Sequence, residues 1–156
     1  MCSDVQKYND VKITLNDPFD DFVISCHKGY ARDVEKYLKS ETYVPNKSDF
    51  FGWTPLHAAC AGFHIYIIKI LLEKNEDPTM TDKRGNCPLQ LLLKWNRVEE
   101  DDIPDYKRIL KMLLQKKQEK HEKKVLNKVY PNGDTCMHTA GKSLHDDKLN
   151  QFNSNL

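Results

Sequence analysis

Residues 49–60 read Asp-Phe-Phe-Gly-Trp-Thr-Pro-Leu-His-Ala-Ala-Cys, DFFGWTPLHAAC. Thr54 is a residue that caps helix N-termini, and Pro55 suits the first helical position, where no N–H is needed. Ala58, Ala59 and Cys60 are small, so the helix they form can approach a neighbour closely. Gly62 is placed to end that helix. Ile67, Ile68, Leu71 and Leu72 then recur at helical spacing and predict a second helix with one apolar face. Asn75 follows it, and Asn is the best non-glycine residue for a left-handed helix end.

The stretch is one copy of a repeat with a period of 33 residues, Gly52 being followed by Gly85 and Gly29 by Gly62. "DKRGNCPLQLLL" repeats the opening, with Pro88 and Leu89 standing where Pro55 and Leu56 stood. "VISCHKGYARDVEKYL" repeats the middle, with Cys26 and Gly29 under Ala59 and Gly62, and Val34 and Leu38 under Ile67 and Leu71. "NGDTCMHTA" places Gly133, Thr135, Met137, His138 and Ala140 under Gly52, Thr54, Leu56, His57 and Ala59. A period of this length signals a stack of supersecondary units rather than a single-layer fold.

On these residues the chain resembles the ankyrin-repeat family, most closely over 49–81. The resemblance implies an all-α solenoid of about three and a half helix–turn–helix repeats joined by β-hairpin fingers. It divides the chain into an N-terminal arm, 1–15, and a repeat domain, 16–156. The repeats fall at 16–48, 49–81, 82–129 and 130–156, the last one partial. The third is stretched, with Gly85 and Gly133 standing 48 residues apart. One insert, "KWNRVEEDDIPD", separates its helices and is acidic. Pro104 argues against a continuous helix there. The helix "YKRILKMLLQ" follows and runs on into "QKKQEKHEKK", to about Val125 or Leu126.

The family's fingers carry their variable residues outward, beside the hairpin glycine. Here these are Phe50, Phe51 and Trp53, then Lys83, Arg84 and Asn86. The facing first-helix positions include Lys28 and Lys94. Phe50 and Phe51 either fold back on neighbouring fingers or on the arm, or face out. Trp53 occupies a slot that faces the groove, so it is read, with Lys83 and Arg84 beside it, as the centre of a protein-binding surface. Aromatics and Arg are enriched at binding hot spots. Thr54, Pro55, Leu56, His57, Gly62 and His138 are the structural motif. The resemblance implies that His57 and His138 tie loops together by hydrogen bonds.

The other chemistry is sparse. Lys+Arg is 24 and Asp+Glu 23, so no global field draws the chain to nucleic acid or membrane. Met1–Met80 carries 9 basic and 12 acidic residues and Thr81–Leu156 carries 15 and 11, so the halves are −3 and +4. The basic region 107–128 offers an alternative function, binding of nucleic acid or an acidic partner. Its interleaved Glu119 and Glu122 favour a solvated helix instead, and it lacks aromatics for base stacking. Five cysteines with no C-x-x-C pair predict reduced thiols in an intracellular compartment, cytoplasmic or nuclear. No bilayer-spanning apolar run and no signal peptide is present. Histidines and cysteines share no metal-ligand spacing. No nucleophile has an evident base beside it. The expectation is therefore a non-catalytic module without cofactor or metal, which binds, masks or inhibits a partner protein. It is expected to be a monomer, with association through the partial fourth repeat as a further route.

Overall fold

The computed structural model describes residues 17–94, 103–114, 129–131, 133–135 and 138. The arm at 1–15, the acidic run 99–102, the basic stretch 116–124 and the tail after Ala140 lie outside them.

Among the described residues six helices follow one another: α1 Pro18–Lys28, α2 Ala31–Leu38, α3 Pro55–Gly62, α4 Ile65–Glu73, α5 Pro88–Leu93 and α6 Ile103–Leu114. Proline opens α1, α3 and α5, where its fixed φ fits and its missing N–H is not missed. The first helices pack side by side in the order α1, α3, α5, and the second helices α2, α4, α6 form the layer behind them. Among the described residues no strand is present, so the expected hairpin fingers are seen as tight turns rather than ladders.

The core runs between the layers. In α3, Leu56, His57, Ala58, Ala59 and Cys60 are fully buried, because the helix is enclosed by a neighbour on each side. Ile67, Ile68 and Leu71 of α4 bury the predicted apolar face. Ile109 and Leu113 continue it into α6, and Tyr106 stacks on Phe63 with ring centroids 6.2 Å apart. Helix α6 begins three residues before the expected Tyr106. Pro104 sits in its first turn, where a proline is compatible with helix.

Gly62 departs from its expected role. It is the last residue of α3 and does not end the helix through a left-handed turn; Phe63 does so instead, at φ 60°. Gly62 is there for close approach. A Cβ on it would lie 2.2 Å from the His27 carbonyl oxygen and 2.7 Å from the His64 ring. His64 bridges the repeats at this point, its Nε2 lying 2.9 Å from that same carbonyl. Glycine to alanine inside a helix ordinarily stabilises by about 1 kcal/mol. Here the backbone clash reverses the sign, and Gly62→Ala is expected to lose about 2 kcal/mol, the usual scale of overpacking. Urea unfolding of the variant checks this. Asn75 takes the left-handed conformation expected of it, at φ 67°.

The loop between α2 and the first turn is held by a buried carboxylate. Glu76 accepts from the Tyr43 hydroxyl at 2.9 Å and the Asn46 N–H at 3.2 Å. Asn46 in turn accepts from the Asp77 N–H at 2.6 Å. Burial, and next the Glu76 charge, raise the Tyr43 hydroxyl well above its ordinary pKa. These bonds join segments about one repeat apart, so they fix the spacing of adjacent units.

Candidate binding surface at the finger tips

The three turns share one construction. The Asp49 N–H donates to the Trp53 carbonyl at 2.9 Å, and the Gly52 N–H to the Asp49 carbonyl at 3.0 Å. The same two bonds recur as Asp82 to Asn86 and Gly85 to Asp82, and again as Tyr130 to Asp134 and Gly133 to Tyr130. Gly52, Gly85 and Gly133 supply the positive φ each turn requires, 79°, 79° and 82°.

In the first two turns an aspartate staples the loop from inside. Asp49 Oδ1 accepts from the N–H groups of Phe51 and Trp53, both at 2.8 Å. Asp82 Oδ1 accepts from Arg84 at 2.9 Å and Asn86 at 2.8 Å. These two residues were not among the expected site positions. The signal was available: an Asp three residues before each turn glycine, 33 residues apart. Tyr130 replaces it in the third turn.

One side chain from α3 and one from α5 then tie their turns to the next one. His57 Nδ1 accepts from the Thr54 N–H at 3.1 Å, while Thr54 Oγ1 receives the His57 N–H, so the two close a reciprocal helix cap. His57 Nε2 donates to the Asn86 carbonyl at 3.0 Å. Gln90 does the same work one repeat later, its Oε1 accepting from the Cys87 N–H at 3.1 Å and its Nε2 pointing at the Asp134 carbonyl at 3.5 Å. His138 repeats the cap with Thr135, at 3.4 and 3.1 Å. His57 is therefore structural. Full burial lowers its pKa to about 4, against a smaller opposing pull from the Asn86 carbonyl.

The expected surface residues divide sharply. Trp53 is 1% exposed and does not face a groove. Its indole lies edge-on to His27, centroids 6.3 Å apart, and joins the core between the first two units. The slot is turned inward because Asp49 draws the Trp53 N–H back into the turn, which leaves a large apolar ring best placed against α1. Asn86 is also buried, at 2%, and its amide is shared between Asp82 and the Lys94 ammonium, the latter at 2.6 Å. Neither residue belongs on a docking surface. Phe51 is half-buried against the core.

Phe50 is 74% exposed at the tip of the first turn. Its ring stands edge-on to Phe51, 5.5 Å away, and the Lys83 ammonium sits 4.0 Å from its centroid. A backbone bond from the Lys83 N–H to the Phe51 carbonyl, at 3.1 Å, fastens the two tips together. Lys83 and Arg84 are exposed beside it, and Lys28 is exposed at the end of α1.

Cys26, Cys60 and Cys87 are buried thiols, not disulfides. Burial pushes the Cys26 and Cys60 thiols well above their ordinary pKa, which keeps them from acting as thiolates at neutral pH. Among the described residues no three His, Cys, Asp or Glu side chains gather as a metal site.

Comparison with known proteins agrees with the architecture. A family model described as ankyrin repeats, in three copies, matches residues 22–124. The chain is 28% identical to NF-kappa-B inhibitor alpha of Sus scrofa over 123 residues, covering 79% of this chain and 36% of that protein. It is 29% identical over 89 residues to Ankyrin repeat domain-containing protein 40 of Mus musculus, covering 51% of this chain and 24% of that one. It is 42% identical over 66 residues to Ankyrin repeat-containing protein P1E11.10 of Schizosaccharomyces pombe, covering 42% and 31%. The matched region thus spans well under half the length of these relatives.

Proposed function

The chain belongs to the ankyrin-repeat family, and on that premise we propose that it is a non-catalytic module that binds one partner protein through its finger tips, masking or inhibiting it. The observation that carries this reading is Phe50, a large aromatic left 74% exposed on a turn whose other two aromatics, Phe51 and Trp53, pack against the core. Its contacts there are the edge of Phe51 and the Lys83 ammonium, and aromatic side chains dominate binding energy when a partner covers them. Lys83 and Arg84 complete the surface, with Lys28 at its edge. Masking or inhibition is the reading's finer part, and the resemblance to a protein named as an inhibitor supports it. An intracellular setting, cytoplasmic or nuclear, belongs to the same reading.

The test is affinity capture from native lysate with the full chain and with a Phe50→Ala, Lys83→Ala variant. Both positions are exposed, so circular dichroism should show an unchanged fold. Selective loss of one protein from the variant is expected. An unchanged captured set would overturn the assignment to the finger tips.

Arg108 and Lys111 are exposed one turn apart on α6, which supports a second reading, binding of nucleic acid or an acidic partner through 107–128. It predicts binding that weakens steeply as salt rises. Retention that is insensitive to salt and depends on Phe50 would count against it.

A further inference from the structure

The segment between α2 and the first turn is latched at one tyrosine. Residues 39–54 carry neither helix nor strand. Within them the Tyr43 hydroxyl donates to Glu76 Oε1 at 2.9 Å, and the Asn46 N–H donates to the same oxygen at 3.2 Å. Glu76 is buried. The Tyr43 ring is half-buried and edge-on to Phe22, centroids 6.1 Å apart, while Thr42 and Val44 on either side are exposed. We propose that Tyr43 is a phosphorylation site for a protein tyrosine kinase, and that the phosphate releases the 39–49 segment from Glu76. In this transfer the Tyr43 oxygen bonds to the γ-phosphorus of a nucleoside triphosphate. The bond from that phosphorus to the β–γ bridging oxygen breaks, and the hydroxyl proton passes to the kinase's base.

Topology selects this tyrosine. A kinase draws its target into an open cleft, which an irregular surface segment permits and a packed helix does not. Among the described tyrosines, Tyr37, Tyr66 and Tyr106 lie inside α2, α4 and α6, Tyr30 stands in the short link that caps α2, and Tyr130 is buried. Tyr43 leaves its seat by giving up one hydrogen bond and a half-buried ring, and the phosphate then bars its return. Esterification removes the proton that Glu76 accepts. It also sets about two negative charges beside a buried carboxylate, where desolvation and repulsion both oppose docking. Burial first, and the Glu76 charge second, already raise the pKa of the Tyr43 hydroxyl, so the seat disfavours even the single charge of a phenolate. The first turn starts at Asp49, six residues on, so release of 39–49 frees the base of the Phe50 turn. The effect on the fold stands apart from the protein-binding reading, whereas an effect on partner affinity rests on it.

The test treats the purified full chain with ATP, Mg²⁺ and the catalytic domain of a broad-specificity tyrosine kinase. Ion exchange then isolates the singly phosphorylated species and mass spectrometry maps it. Tyr43 is expected to carry the phosphate, and Tyr43→Phe is expected to lack that species. The Tyr43-phosphorylated chain should melt roughly 3–12 °C lower than the untreated one, the scale for losing hydrogen bonds to a charged group in a chain of this length. The ¹⁵N amide signals of 43–49, 76 and 77 should move with it. Glu76→Gln keeps an acceptor for the hydroxyl without the charge, so the phosphate should lower its melting temperature less. A chain that takes phosphate at Tyr30 or Tyr66 but none at Tyr43 would overturn the proposal. So would Tyr43 phosphorylation with an unchanged melting temperature and unmoved signals, or an equal drop in wild type and Glu76→Gln. If Glu76→Gln does not fold, the amide signals of the two wild-type species still decide. Partner capture through Phe50 is read separately, so failure of the finger-tip reading leaves each of these outcomes intact.

Discussion

Replacing Trp53 with alanine is expected to destabilise the protein by about 3–5 kcal/mol, the usual loss for a buried large aromatic. The ring is 1% exposed and lies in the core between α1 and the first turn, against His27. Its loss opens a cavity at the junction of two units, and in a stacked-repeat protein stability is carried by such junctions. A chain of this length should melt roughly 6–20 °C lower, given about 2–4 °C for each kcal/mol. Thermal and urea unfolding followed by circular dichroism check this. Phe50→Ala, three residues away, should move the midpoint by no more than about 0.5 kcal/mol, as exposed positions do. Two aromatics of one short loop thus separate into a structural ring and a surface ring.

Acid should weaken the fold through His57. The imidazole is fully buried and neutral, with Nδ1 accepting from the Thr54 N–H and Nε2 donating to the Asn86 carbonyl. Its pKa falls from an ordinary 6.5 to about 4. The unfolded chain therefore takes up a proton at a higher pH than the folded one. The stabilisation is complete above pH 6.5 and is lost as pH falls from 6.5 towards 4. For one such group the loss reaches about 3 kcal/mol. His27 adds in the same direction, since burial lowers its pKa too. Gln90 makes the matching cap and cross-turn contact with an amide that does not titrate. His57→Gln should therefore keep the bonding pattern and flatten the stability curve between pH 7 and 4.5. Urea midpoints of both proteins across that range measure the difference. A parallel decline in the two would remove His57 as the source.

Much of the scaffold was legible because its signals are local. Pro55, Pro88 and the 33-residue period placed helix starts, and the Ile67–Leu71 spacing placed a buried face. Asn75 was legible from backbone sterics alone. The orientation of Trp53 was not. Its register beside the turn glycine suggested an outward slot, but its side chain direction depends on how Asp49 pulls the loop closed, which is a hydrogen bond between residues four apart. Gly62 was misread for a related reason. Its purpose is the His27 carbonyl of another repeat, a contact that the sequence of α3 does not contain. Asn86 likewise reads as a polar tip residue until its bonds to Asp82 and Lys94 turn it inward.

The division of labour between Phe50 and Trp53 is the centre of the account. Calorimetric titration of Phe50→Ala against the purified captured partner, paired with its melting temperature, tests it most directly. The prediction is a dissociation constant raised by roughly tenfold or more, the scale of an aromatic hot spot, at an unchanged melting temperature. Wild-type affinity in Phe50→Ala would contradict it and move the partner's contact off the finger tip.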